Sequence, residues 1–105
     1  MNFSELAKNL ELEEDEYLEL IQLLIETSRA DLASIETAVR EQQSNDAASA
    51  LHSIKGAAGN LGLTEIYDLA KQGEQMARNN AMNQLPGIIQ GLKTKFSELA
   101  KIAGV

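Results

Sequence analysis

The stretch LELIQLLIETSRADLASIETAV, residues 18–39, decides the fold class. Its inward-facing positions recur at steps of three and four, which is the spacing of one face of an α-helix. These positions are Leu18, Ile21, Ile25, Ser28, Leu32, Ile35 and Val39. The acidic residues at positions 13–16 suit the first turn of a helix, where the helix dipole favours negative charge. We therefore predict a long helix from about Glu13 to Gln42.

A short helix is predicted before the long one. Phe3, Leu6 and Leu10 share one face of it, and Asn2 or Ser4 can cap its first turn.

A third helix is predicted to run through about Leu61 and to end at Gly62. Three consecutive polar residues interrupt the helical pattern before it and are candidate caps, namely Ser44, Asn45 and Asp46. Its inward stripe is Leu51, Ile54, Ala58 and Leu61.

Two more helices complete the chain, with Thr64 as the predicted cap of the fourth and Asn79 and Asn80 as the turn after it. The inward stripe of the fourth is Ile66, Leu69, Ala70, Gly73 and Ala77. That of the fifth is Leu85, Ile89, Leu92, Phe96, Leu99 and Ala103. Pro86 fits a fifth helix that starts near Asn83, since first-turn amides have no helical partner, whereas a start near Ala81 implies a kink.

Four amphipathic helices with short connections can bury their stripes only against one another. We therefore predict an all-α protein, an antiparallel four-helix bundle with a short additional N-terminal helix across one end. With 105 residues and 44% hydrophobic residues, the chain is expected to form a single domain over residues 1–105. Aromatic residues make up only 4% and tryptophan is absent, so the core must be aliphatic.

Composition also excludes several function classes. The net charge of −7 argues against binding to nucleic acid or to an anionic membrane surface. The chain has no cysteine and one histidine, too few nitrogen and sulfur ligands for a typical metal enzyme, so we expect neither a metal nor a cofactor. The first ten residues do not resemble a signal peptide. We expect a cytoplasmic monomer.

The single histidine lies beside two glycines that a helix would ordinarily avoid. His52, Lys55, Gly56 and Gly59 form a second stripe, displaced from the apolar one toward solvent. Glycines that allow close helix packing belong on an inward stripe, as Gly73 does. We therefore interpret Gly56 and Gly59 as clearing space for a partner that approaches the imidazole.

The segment HSIKGAAGNLG, His52 to Gly62, resembles the signature of histidine-containing phosphotransfer (HPt) domains of phosphorelays. That signature has a histidine, then a lysine and a glycine after two further residues, then two small residues, and later an aliphatic residue and a glycine. The matching positions are His52, Lys55, Gly56, Ala57, Ala58, Leu61 and Gly62. The predicted bundle agrees with the family over nearly the whole chain.

The resemblance implies that His52 accepts a phosphoryl group from a receiver-domain aspartyl phosphate and passes it to another receiver aspartate. The partners implied are receiver domains of hybrid histidine kinases and of response regulators. Lys55 would offset charge on the phosphate oxygens. Gly56, Gly59, Ser53 and Asn60 would belong to the docking surface.

A polar residue on the neighbouring helix often orients the histidine in this family, and the register from the motif makes Glu74 the candidate. The alternative is that Glu74 only forms a helical ion pair with Arg78, four residues later. Arg78 is also a candidate for facing the phosphate.

Other functions stay open at this point. A self-contained kinase is not expected, because no glycine-rich phosphate loop follows a strand. The chain would therefore be a phosphoryl carrier rather than an enzyme. One alternative is a non-catalytic helical adaptor that does not use the histidine. Another is the phosphoacceptor domain of a chemotaxis-type histidine kinase.

Overall fold

In the computed structural model, residues 2–104 are described, and they form five α-helices and one short 3₁₀ turn. The helices are α1 (Phe3–Asn9), α2 (Glu14–Arg40), α3 (Ser44–Asn60), α4 (Thr64–Arg78) and α5 (Leu85–Ala103), with the 3₁₀ turn at Met82–Gln84. The predicted all-α class is confirmed. No helix in this part of the chain is both long enough and apolar enough to cross a membrane.

Helices α2 to α5 form the predicted bundle, in which each helix contacts two neighbours in a closed ring. Helix α1 packs at one end, where the rings of Phe3 and Tyr17 lie 5.7 Å apart between centroids. The Tyr17 hydroxyl donates a hydrogen bond of 2.5 Å to the carbonyl oxygen of Leu61. This bond joins the start of α2 to the end of α3, so the two helices run antiparallel.

The predicted core stripe of α2 is confirmed, although Leu18 and Val39 near its ends are only half-buried. Helix α2 also buries Tyr17, Leu24 and Ala38, which were not predicted. The buried face is wider than one stripe because α2 contacts both α3 and α5. The core is almost entirely aliphatic, as composition indicated.

Four helices end in the same way, with one residue in the left-handed conformation directly after the C-cap. These residues are Glu11, Gln42, Gly62 and Asn80. The next N–H along the chain then bonds back into the last helical turn, as from Leu63 to the Ala58 carbonyl at 2.9 Å. This is the Schellman arrangement, which satisfies carbonyls that a helix end leaves free.

The Schellman ends explain why the predicted caps of α3 and α4 differ from the observed ones. Gln43 donates the closing hydrogen bond of α2 and is already the N-cap of α3. Likewise, Leu63 donates the closing hydrogen bond of α3 and is the N-cap of α4. No separate capping residue fits into connections this short. The predictions of caps at four residues are therefore wrong: Ser44, Asn45, Asp46 and Thr64. The predicted cap of α1 is confirmed, since the Asn2 side chain accepts from the Glu5 N–H at 3.1 Å.

Helix α5 begins later than either predicted start, at Leu85, because the preceding residues form the 3₁₀ turn. Pro86 lies in the first turn and removes no helical hydrogen bond. The interpretation of Gly73 as a packing glycine is confirmed. A Cβ there would lie 2.9 Å from Cγ2 of Ile88 and 3.0 Å from Cδ2 of Leu51.

Ser28 is the exception in the core, because its hydroxyl oxygen is buried and has no hydrogen-bond partner within residues 2–104. A buried polar group without a partner costs about 1–3 kcal/mol. We expect Ser28→Ala to raise the free energy of unfolding by about 1 kcal/mol and the Tm by a few degrees, measured by thermal and urea unfolding. Ser34→Ala, at an exposed position of α2, controls for the helix propensity of alanine. Equal gains in both variants would contradict this expectation.

Candidate functional site

The imidazole of His52 projects from the middle of α3 into solvent. The four residues of the predicted inward stripe of α3 are all buried: Leu51, Ile54, Ala58 and Leu61. Their burial turns His52 outward, and its side chain is 63% exposed. The histidine is therefore open to a partner, as the stripe pattern predicted.

Glu74 on α4 contacts the histidine across the interface between the two helices. The His52 Nδ1 donates a hydrogen bond to Oε2 of Glu74 at 3.0 Å. Only 8% of the Glu74 side chain is exposed. A carboxylate can only accept hydrogen bonds, so Nδ1 carries the proton of this bond, and in the neutral imidazole the lone pair is then on Nε2. Glu74 therefore has the geometry that orienting the ring requires.

Two cations neutralise this buried carboxylate. Lys55 Nζ lies 2.7 Å from Oε1 of Glu74. Arg78 binds the other oxygen, Oε2, through Nε at 3.1 Å and through a terminal nitrogen at 2.6 Å. The contact with His52 and the helical ion pair with Arg78, which the sequence left as alternatives, occur together. Arg78 faces the carboxylate of Glu74.

The two cations and the histidine change the acidity of Glu74. Burial by itself would raise its pKa, but hydrogen bonds from Lys55, Arg78 and His52 outweigh burial and lower the pKa from 4.5 to about 2. Glu74 is therefore a carboxylate throughout the neutral and mildly acidic range. Its charge stays available to the ring N–H of His52.

The lowered pKa of Glu74 predicts a pH dependence of stability. Because the folded-state pKa lies below 4.5, ionised Glu74 stabilises the fold above that pH. This contribution is lost as the pH falls from 4.5 toward about 2. We expect Glu74→Gln to be less stable than the parent at pH 7 and to approach it as the pH falls through this range. Urea unfolding of both chains across the range measures the difference, and a constant difference would contradict the expectation.

The structure separates the two glycines that the sequence grouped together. A Cβ at Gly56 would meet no atom within 4 Å, so this position is open. A Cβ at Gly59 would lie 3.2 Å from Cδ2 of Tyr67 on α4. Gly59 is exposed, yet the Tyr67 ring packs against it, a contact that our interpretation did not expect. Packing against Tyr67 therefore explains a glycine at position 59 without any partner protein.

Ser53 and Asn60 are exposed on α3, and their part in docking stays a prediction. Sequence reasoning missed two exposed leucines on α2, Leu20 and Leu23, which are 39% and 55% exposed. Ala38 borders the groove between α2 and α3. Leu20 lies about five full helical turns before Ala38, so both residues are on the same face of α2, the one toward α3. The available signal was a pair of leucines outside the core stripe.

Within residues 2–104, no three His, Asp or Glu side chains are grouped as a metal site requires. What the site offers is an exposed nucleophilic nitrogen, a carboxylate that fixes the ring and two cations beside it. Such a set can attack an electrophile and hold an anionic group afterwards.

The family model described as Hpt domain matches residues 19–102. Comparison with solved structures finds the histidine-containing phosphotransfer protein B (HptB) from Pseudomonas aeruginosa PAO1. The two share 25% sequence identity and superpose with a TM-score of 0.84, over 94% of this chain and 86% of that one. A comparison with curated proteins gives no match.

Proposed function

Because the chain belongs to the Hpt domain family, we propose that its His52 carries a phosphoryl group between receiver domains in a multistep phosphorelay. The single observation that carries the proposal is the hydrogen bond from His52 Nδ1 to Glu74, which leaves an exposed Nε2 as the nucleophile. We propose further that the chain acts as a cytoplasmic monomer, with residues 1–105 as one domain.

In the accepting step, the Nε2 lone pair attacks the phosphorus of a receiver aspartyl phosphate. The N–P bond forms while the bond from phosphorus to the aspartate oxygen breaks, and the aspartate leaves as a carboxylate. Positive charge develops on the ring, whose Nδ1–H is held by Glu74 at 3.0 Å. A carboxylate in that position stabilises the charge as it forms.

The donating step reverses these bonds with a different receiver. An aspartate oxygen attacks phosphorus, the N–P bond breaks, and the electron pair returns to Nε2. Because Nδ1 keeps its proton, the ring leaves as a neutral imidazole. Lys55, one helical turn from His52, offsets the charge of the phosphate oxygens as a flexible point charge.

The surface around His52 supports docking of a receiver. Gly56, one helical turn from His52, leaves α3 low beside the imidazole. Ser53, Gly59 and Asn60 are exposed on the same helix and complete the surface that we propose for docking. Leu20 and Leu23 on α2 add exposed apolar area. Contiguous exposed apolar patches rimmed by polar residues are typical of interaction sites, and we propose that these two leucines contribute to one.

The test is to incubate the purified chain with a panel of radiolabelled, phosphorylated receiver domains from its source organism. We expect label that is stable in base and lost in acid, as for a phosphohistidine. If no receiver transfers label to the chain, the result favours the alternative of a non-catalytic helical adaptor. Label obtained only from an ATP-binding kinase domain would favour the phosphoacceptor domain of a chemotaxis-type kinase.

A further inference from the structure

Lys55 is already bound in the resting protein. Its ammonium lies 2.7 Å from Oε1 of Glu74, and its side chain is 24% exposed. When His52 is phosphorylated, its phosphoryl oxygens would interact with this same ammonium. Lys55 therefore has two anionic groups to bind. The Glu74 carboxylate is always present, and the phosphoryl group is present only while His52 is phosphorylated.

The two oxygens of Glu74 have separate partners. Oε2 binds both His52 and Arg78, whereas Oε1 binds Lys55. Lys55 can therefore leave Oε1 without breaking the bond that orients the ring. Arg78 stays on the carboxylate, so Glu74 is not left as an unpaired buried charge, which would be costly.

We propose that Glu74 competes with the phosphoryl group for Lys55 and thereby limits how long phosphorylated His52 persists. This inference rests on the proposed function, since it concerns the phosphorylated form of the same histidine. Glu74 is a positioning residue that acts through Lys55. A glutamine in its place would still accept the Nδ1–H bond through its amide oxygen but would hold the ammonium far less strongly.

A double-mutant cycle tests the competition directly. The parent, Lys55→Ala, Glu74→Gln and the double variant are phosphorylated with phosphoramidate, a small donor that needs no receiver. The half-life of the phosphohistidine is then followed by phosphorus NMR at neutral pH. We expect Lys55→Ala to shorten the half-life about two- to threefold in the parent. In the Glu74→Gln background, where Lys55 is released to the phosphate, we expect about a tenfold loss.

Lys71→Ala is the matched control, because it removes one exposed positive charge from α4, and Lys71 forms no ion pair within residues 2–104. It should change the half-life equally in both backgrounds. An effect of Lys55→Ala that is equal or smaller in the Glu74→Gln background overturns the inference, because Glu74 would then leave Lys55 unaffected or hold it ready for the phosphate.

The design separates this inference from the proposed function. A chain that phosphoramidate labels on His52 but that no phosphorylated receiver labels would count against the relay alone. A chain that neither phosphoramidate nor any phosphorylated receiver labels on His52 would overturn both.

Discussion

His52→Gln is expected to abolish acceptance of the phosphoryl group and to leave the fold intact. The chain contains a single histidine, so no second imidazole can replace it. A glutamine amide nitrogen has no available lone pair with which to attack phosphorus. Acid-labile label transferred from a phosphorylated receiver should therefore fall to background, a loss of at least about a hundredfold.

The stability of the His52→Gln variant is the control for this loss. The side chain is 63% exposed, and the glutamine amide can still donate to Glu74, so the Tm should stay within a few degrees of the parent. Thermal unfolding on the same preparation checks this point. Label of the parental amount in the variant, with the same acid lability, would mean that the phosphoryl group does not reside on His52.

The helices and the outward position of His52 were predictable because both depend on local periodicity. A stripe with steps of three and four shows which face of a helix is buried, whatever the helix packs against. The burial of Leu51 and Ile54 then determines where the neighbouring histidine points. Glu74 became a candidate in another way, through the register that the HPt-like motif implies for the neighbouring helix.

The partners of Glu74 were less predictable because they depend on how α4 is rotated against α3. The bond from Lys55 to Glu74 spans two helices, and no pattern within either helix contains it. The same limit applies to Gly59, where the distance to the Tyr67 ring decides whether the glycine is needed for packing. The N-caps of α3 and α4 were also mispredicted. In these short connections one residue, such as Leu63, both closes one helix and caps the next, which the capping rules do not consider.

Gly56→Leu is expected to separate stability from transfer. A side chain at this position meets no atom within 4 Å, so it overpacks nothing, and leucine is the better helix former. The Tm should hold or rise slightly. The same side chain would lie one helical turn from His52, on the surface that we propose for the receiver. Attack requires the reacting atoms at about 3–3.5 Å, and a displacement near 1 Å can cost about a hundredfold in rate. We therefore expect transfer to fall by about that factor.

Gly87→Leu provides the matched control for this prediction. Gly87 is also exposed and a Cβ there would also meet no atom within 4 Å, but it lies on α5, diagonally across the bundle from α3. That variant should transfer at the parental rate. If Gly56→Leu also transfers normally, the receiver does not dock over this part of α3. If Gly56→Leu unfolds at a much lower temperature than Gly87→Leu, Gly56 serves packing and the loss of transfer has a structural cause. A selective loss of transfer at Gly56, with both variants equally stable, is the result that access to His52 requires, because only the leucine at position 56 lies beside the imidazole.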